Sequence, residues 1–205
     1  MDNPLTRWFR RGGDPQKRLT RCLEAVKTGA IDTLEAELEA DPSLLQARNP
    51  YGMSLLMYAV FRHQLPVVAL LLSRGADPNA IGPRGSSPLL TAVLEDQPAL
   101  VEALLRAGAR PDQPDSFGAT PLMYAARGGK ARLLDVLIAR GASLETRDQD
   151  GETALMYAAA AGSASAVTRL LQAGAARQAR NFEGADACDL AKTPELRKLL
   201  SEEEE

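Results

Sequence analysis

A fixed spacing between glycines is the feature of this chain that most restricts its fold. Two sets of glycines recur at intervals of 33 residues, and every member of the second set is followed by alanine. The first set is Gly52, Gly85, Gly118, Gly151 and Gly184, and the second is Gly75, Gly108, Gly141 and Gly174. A period of this length is typical of a stack of like structural units in which each unit contacts only its neighbours.

The segment 115–147 illustrates the content of one unit. Thr120 is a natural N-cap and Pro121 suits the first position of a helix. A short helix is therefore predicted, which ends at Gly129 because glycine tolerates the left-handed backbone that a helix stop needs. A second helix, rich in leucine, is predicted to end at Gly141. A polar, turn-rich segment then leads to the next unit.

The same plan recurs in the neighbouring units. Cap residues stand at Ser54, Ser87, Thr120 and Thr153, and an inner leucine stands at Leu56, Leu89, Leu122 and Leu155. A column of small residues, which lets helices approach closely, is formed by Ala59, Ala92, Ala125 and Ala158. Leucine or isoleucine pairs in the second helices also align.

The pattern Gly-x-Thr-Pro-Leu-x-x-Ala-Ala, followed by Leu-Leu-x-x-Gly-Ala at a period of 33, resembles the ankyrin repeat. The resemblance covers residues 19–200 and implies an all-α fold, an α-solenoid of helix-turn-helix units joined by β-hairpin-like loops. The family usually carries His two residues after the Pro. This chain has Met57, Leu90, Met123 and Met156 there, so we expect the hydrogen bonds of that His to be replaced by thioether and aliphatic packing.

The register predicts one solenoid between two flanks. Residues 1–18, which include Trp8 and Phe9, are predicted to be a flexible, mildly basic arm, and residues 201–205 an acidic tail. A docking role for the arm is the alternative. The solenoid divides into an N-terminal cap at 19–48, full repeats at 49–81, 82–114, 115–147 and 148–180, and a C-terminal cap at 181–200.

Composition narrows the class of protein. A net charge of −3 gives no global basic field for nucleic acid. The two cysteines, Cys22 and Cys188, lie at opposite ends of the stack, so we expect reduced thiols, as in a cytoplasmic protein. We expect no signal peptide and no membrane span, and a monomer when free. The predominance of Arg over Lys indicates a GC-rich, bacterial genome.

The residues that could carry chemistry have structural explanations in this register. His63, the lone histidine, aligns with Asp96, Gly129 and Gly162, so we interpret it as a helix stop. The acidic segment 148–152 resembles part of a calcium loop, and the Gly-rich segment 82–87 a phosphate loop, but both are interpreted as repeat turns. We expect no catalytic, cofactor-binding or metal-binding residues, and no enzyme.

Binding is the function that a repeat stack favours, because variation is free on its extended concave surface. In ankyrin proteins the hairpin turns and the ends of the first helices form that surface. Several residues at those sites are large or charged where the repeat does not demand it. The predicted partner-binding residues are Tyr51, Met53, Phe61, Arg62, Arg84, Leu94, Glu95, Phe117, Arg127, Asp150 and Phe182. Packing of some of these onto neighbouring turns is the alternative.

The sequence therefore predicts a non-catalytic module that binds an unknown partner protein, as an adaptor, an inhibitor or an immunity-type protein. Aromatic residues and arginine dominate protein-binding surfaces, which supports this reading. The alternatives are binding of nucleic acid or a regulatory role associated with an enzyme. Nucleic-acid binding would use exposed arginines, namely Arg84, Arg110, Arg127, Arg147, Arg177 and Arg180.

Overall fold

The computed structural model describes residues 14–201, and they form helices joined by tight turns. The cap helices are α1 (Pro15–Thr28) and α2 (Ile31–Ala40), followed by a 3-10 turn at Pro42–Gln46. The full repeats contribute the pairs α3 (Leu55–Phe61) and α4 (Leu65–Ser73), α5 (Pro88–Leu94) and α6 (Pro98–Arg106), α7 (Pro121–Arg127) and α8 (Ala131–Ala139), and α9 (Ala154–Ala161) and α10 (Ala164–Gln172). The last helix is α11 (Pro194–Ser201). The all-α solenoid predicted from the glycine spacing is confirmed.

Local sequence explains where the first helices begin. The hydroxyl groups of Ser54, Ser87 and Thr120 each accept a hydrogen bond from the backbone N–H three residues later, as N-caps do. Thr153 also lies at the N-cap, but its side chain makes no capping hydrogen bond.

Left-handed backbone at fixed positions ends both helices of every repeat. The first helices stop at His63 (φ 57°), Asp96 (φ 54°), Gly129 (φ 62°) and Gly162 (φ 80°). The interpretation of His63 as a helix stop is therefore confirmed. The second helices stop at the glycines of the second set, whose φ values lie between 82° and 92°.

The core runs the length of the stack between the two layers of helices. The four alanines of the small-residue column are completely buried, as are the inner leucines or nearly so. Backbones of the first helices come closer to one another than those of the second helices. The first helices therefore form the shorter, concave side of the solenoid.

The position at which the family usually has His is buried in all four repeats. Met57, Leu90, Met123 and Met156 are each at most 2% exposed. Hydrophobic packing therefore takes the place of the hydrogen bonds of the usual His. One hydrogen bond at this position was not predicted from the sequence. The thioether of Met123 accepts a hydrogen bond from the Thr120 N–H at 3.3 Å.

The two ends differ from the predicted boundaries. Helix α1 begins at Pro15, so residues 15–18 belong to the cap and not to an arm that extends to residue 18. The Asp14 carboxylate accepts a hydrogen bond from the Gln16 N–H and caps this helix. The predicted arm up to residue 13, and the acidic tail after Ser201, lie outside the described residues.

At the other end, residues 187–190 form turns in place of a first helix. Thr193 then caps α11, since its hydroxyl accepts from the Leu196 N–H. Cys22 is buried in the N-terminal cap and Cys188 is half-buried in the C-terminal cap, and both are free. Within the range 14–201, every helix is too short or too polar to cross a membrane.

Candidate partner-binding face

Five turns, here called the tips, project beside the first helices, and each is closed in the same way. The tips are residues 49–53, 82–86, 115–119, 148–152 and 181–185. In each, the first residue donates its N–H to the carbonyl oxygen of the fifth. The repeat glycine at the fourth position has φ between 72° and 83°, which favours glycine.

An Asn or Asp side chain fixes four of the five tips. Asn49, Asp115, Asp148 and Asn181 open these tips, and Oδ1 of each accepts hydrogen bonds from the backbone N–H groups two and four residues later, at 2.8–3.1 Å. Gly82 opens the second tip and cannot do this. There, Arg84 adopts left-handed backbone at φ 53°. The second tip therefore differs in shape from the other four.

Tyrosine strengthens the tips of the third and fourth full repeats. The hydroxyl groups of Tyr124 and Tyr157 donate to Oδ2 of Asp115 and Asp148 at 2.7 Å. Burial and then this bond to a carboxylate raise the pKa of Tyr124 to about 12, and the same causes raise the pKa of Tyr157 further. These tyrosines are structural.

Neighbouring tips are joined by backbone hydrogen bonds. The N–H groups of Ser116, Gln149 and Phe182 donate to the carbonyl oxygens of Arg84, Phe117 and Asp150, each at 3.0 Å. The equivalent residue in the second tip is Pro83, which has no N–H. Here the link lies just outside the tips: the guanidinium of Arg48, which precedes the first tip, donates to the Gly52 carbonyl and to the carbonyl of Ile81, which precedes the second. Tips two to five thus form one rigid ladder.

Most of the predicted partner-binding residues are exposed on this face. The exposed fractions are 76% for Tyr51, 43% for Phe61, 51% for Leu94, 59% for Phe117 and 75% for Phe182. Arg62, Arg84, Arg127 and Asp150 are also exposed, whereas Met53 and Glu95 are half-buried. The apolar members lie mainly in the first three full repeats.

Some of these residues also have internal partners. An oxygen of the Glu95 carboxylate lies 3.4 Å from Nε2 of His63, and this contact joins two repeats. The carbonyl of Leu94 accepts a hydrogen bond from the Lys130 ammonium. The Phe182 ring lies over Gly151, where an added Cβ would approach its Cδ1 to 2.9 Å. Phe182 therefore packs on the neighbouring tip as well as facing solvent.

The structure divides the six arginines considered for nucleic-acid binding. Arg147 donates to the Gly151 and Arg180 carbonyls, and Arg177 donates to the Leu199 and Leu200 carbonyls. Arg180 donates to the Gly184 carbonyl and pairs with Asp186. These three stabilise the fold. Arg84, Arg110 and Arg127 retain free side chains among the described residues.

The carboxylates that resemble a calcium loop are already used internally. Both oxygens of Asp148 accept hydrogen bonds, from the tip backbone and from Tyr157. Across residues 14–201, no group of three or more His, Cys, Asp or Glu side chains is placed to hold a metal ion.

Sequence reasoning missed a cleft at the C-terminal end of this face. Arg127, Glu152, Tyr157, Ala160, Ala161 and Lys192 line it. Of these, only Arg127 was predicted. The repeat register could have predicted this cleft. Ala160 and Ala161 occupy the positions that Phe61 and Arg62 hold in the first full repeat, and two small side chains there leave space.

Comparison with known families agrees with this geometry. A model described as ankyrin repeats in three copies matches residues 89–181, and one described as a single ankyrin repeat matches residues 51–83. The two matches together cover more than half of the chain. Among curated proteins, none matches.

Proposed function

Because the chain belongs to the ankyrin repeat family, whose repeats are generally protein–protein interaction modules, we propose that it is a non-catalytic protein that binds one partner protein on its concave face. It acts as an adaptor, an inhibitor or an immunity-type protein. The concave face consists of the tips and the C-terminal ends of the first helices.

One observation carries this proposal. Tyr51 and Phe117 at the tips, with Phe61 and Leu94 at the helix ends, expose large apolar side chains that the repeat does not require. Exposed aromatic residues in one area of a monomer mark contact sites, and aromatic and arginine anchors dominate binding energy. Arg84 lies between Tyr51 and Phe117 in the order of tips, with a free guanidinium.

Rigidity of the face supports the same function. Four of the tips are tied to one another by three backbone hydrogen bonds, and four are fixed by Asn or Asp. A surface that is ordered before binding loses little conformational entropy on binding. The backbone that presents the tip side chains is therefore ordered before a partner binds.

The test begins with a tagged pull-down to identify a partner by mass spectrometry, followed by a titration with the purified partner. Changing Tyr51, Arg84 and Phe117 together to alanine is expected to weaken binding by about a hundredfold or more, since each is a central anchor. Circular dichroism should be unchanged, because the three side chains are exposed.

A matched control carries three alanine changes in the second helices or at their ends, at Leu65, Arg132 and Arg140, which are also exposed. This control should keep the affinity of the unchanged protein. Equal affinity of the tip variant and the unchanged protein would remove the tips from the proposed binding surface.

A further inference from the structure

The cleft at the C-terminal end of the concave face has a volume of about 400 Å³. It exists because α9 ends in Ala160 and Ala161, where α3 and α5 end in larger residues. Its floor includes Tyr157, whose ring is held by the hydrogen bond from its hydroxyl to Asp148. The Tyr157 side of the cleft is therefore held in place.

Two cations lie at the helix-end side of this cleft. Arg127 belongs to the end of α7, and Lys192 belongs to the C-terminal cap, so the two come from different repeats. Both side chains are exposed. Neither makes an ion pair or a side-chain hydrogen bond with any residue in the range 14–201. Arg147 and Arg180, in contrast, are bound to backbone carbonyls.

The carboxylate that lines the cleft does not neutralise these cations. Glu152 belongs to the tip side, where Asn181 is one of its neighbours. Burial and then the neighbouring Asp148 raise the pKa of Glu152, so its surroundings are dominated by desolvation and like charge. The cleft is thus charge-separated, with acid at the tips and base at the helix ends.

We propose that this cleft binds a carboxylate side chain, Asp or Glu, of the partner protein between Arg127 and Lys192. The inference rests on the proposed function, since it names the chemistry that the partner presents to one part of the concave face. Two cations that line the same recess offer a carboxylate donors for charge-assisted hydrogen bonds. The methyl groups of Ala160 and Ala161 leave room for the aliphatic stem.

The probe for the test is the short peptide acetyl-Ala-Glu-Ala-amide, added to ¹⁵N-labelled protein and followed by NMR. Saturable shifts are expected at the backbone N–H groups of Ala160 and Ala161 and at the Nε–H of Arg127. Peptides with Gln or Lys in place of Glu should give no saturable shift at these positions.

Three variants make the assignment specific. The double change Arg127→Gln and Lys192→Gln should weaken binding of the Glu peptide by about tenfold or more, because both cations are removed. Glu152→Gln should strengthen binding, since a repelling carboxylate is lost. The control, Arg132→Gln with Arg140→Gln, removes two exposed arginines of α8 and its C-cap, which do not line the cleft, and should leave the affinity unchanged.

The proposal is overturned if the Glu peptide shifts the surroundings of all exposed cations alike, or if the Arg127 and Lys192 double variant binds it as the unchanged protein does. These results leave the test of the tip anchors unaffected, because that test uses Tyr51, Arg84 and Phe117. Loss of the natural partner on changing the tips alone, with unchanged binding of the Glu peptide, would support both sites separately.

Discussion

One register of the repeat carries tyrosine in three units and threonine in the other. Tyr124 and Tyr157 donate hydrogen bonds to the aspartates of their own tips. Tyr58 belongs to the unit whose tip opens with Asn49, and its side chain makes no hydrogen bond among the described residues. Thr91 bonds back to the Ser87 carbonyl in its own helix. The same residue type therefore contributes differently in different repeats, depending on whether its tip supplies a carboxylate.

We expect Tyr124→Phe and Tyr157→Phe each to lower the free energy of unfolding by about 1–2 kcal/mol, because a half-buried carboxylate loses its donor. Tyr58→Phe is the matched control and should cost less than about 0.5 kcal/mol. Urea denaturation measures all three. A cost at Tyr58 equal to the other two would show that loss of the hydroxyl in general, and not loss of its hydrogen bond to a tip aspartate, is responsible.

The two cysteines differ in reactivity for a physical reason that is local to each. Burial raises the pKa of Cys22 to about 11, so its thiol is protonated at neutral pH and shielded from reagents. Cys188 is half-buried, with its thiol directed to the Arg197 carbonyl.

We therefore expect Ellman's reagent to modify one thiol per native molecule at neutral pH and both thiols in denaturant. Cys188→Ser should remove the fast native reaction, and Cys22→Ser should leave it in place. Rapid native modification of the Cys188→Ser variant would mean that the N-terminal cap opens readily.

At the scale of the element, the stop of the first helix requires left-handed backbone whatever residue occupies it. Two repeats use glycine there, and the other two use His63 and Asp96. The left-handed conformation costs about 1–2 kcal/mol for a residue with a Cβ. The first two full repeats therefore carry local strain that the last two do not.

Asp96→Gly should raise the free energy of unfolding by about 0.5–1 kcal/mol, since relief of this strain exceeds the greater freedom of glycine in the unfolded chain. The Asp96 side chain is exposed and makes no hydrogen bond with the described part of the protein. Asp96→Ala keeps the strain and should give no increase, as thermal or urea unfolding can establish.

At the scale of the whole molecule, each repeat is stabilised by its interfaces with the adjacent repeats, because the repeats contact only adjacent units. The four full repeats have neighbours on both sides. The C-terminal cap has one neighbour, and its first helix is reduced to turns at residues 187–190. Its backbone is anchored by few long-range bonds, among them those from Arg177 to the end of α11.

Hydrogen exchange should therefore be fastest in the described C-terminal cap and slowest in α5, α7 and α9. Arg177→Gln should accelerate exchange in α11 while leaving α5 nearly unchanged, since it removes bonds to α11 alone. Uniform acceleration along the chain would indicate all-or-none unfolding in place of fraying from the end.

The start of α1 at Pro15 could have been predicted from the sequence. Asp14 followed by Pro15 has the composition of a cap and a first helical residue, the same signal that located α7 at Thr120 and Pro121. Basic residues on either side led to its assignment to an arm. The different shape of the second tip is a comparable case. Gly82 and Pro83 can be seen in the sequence, but their consequence, a missing hydrogen bond to the first tip, depends on the backbone bonds that join the other tips.

By itself, the sequence determined the period, the helix ends and the left-handed stops, because glycine spacing and caps act on the backbone within one unit. Only the tertiary structure decided which large side chains have no internal partner and face solvent. Arg147 and Arg84 look alike in sequence, yet Arg147 is bound to the Arg180 carbonyl one repeat away, and the Arg84 side chain has no partner within residues 14–201. The C-terminal cleft was decided in the same way, since Arg127 and Lys192 line one recess only when repeats from different parts of the chain are stacked.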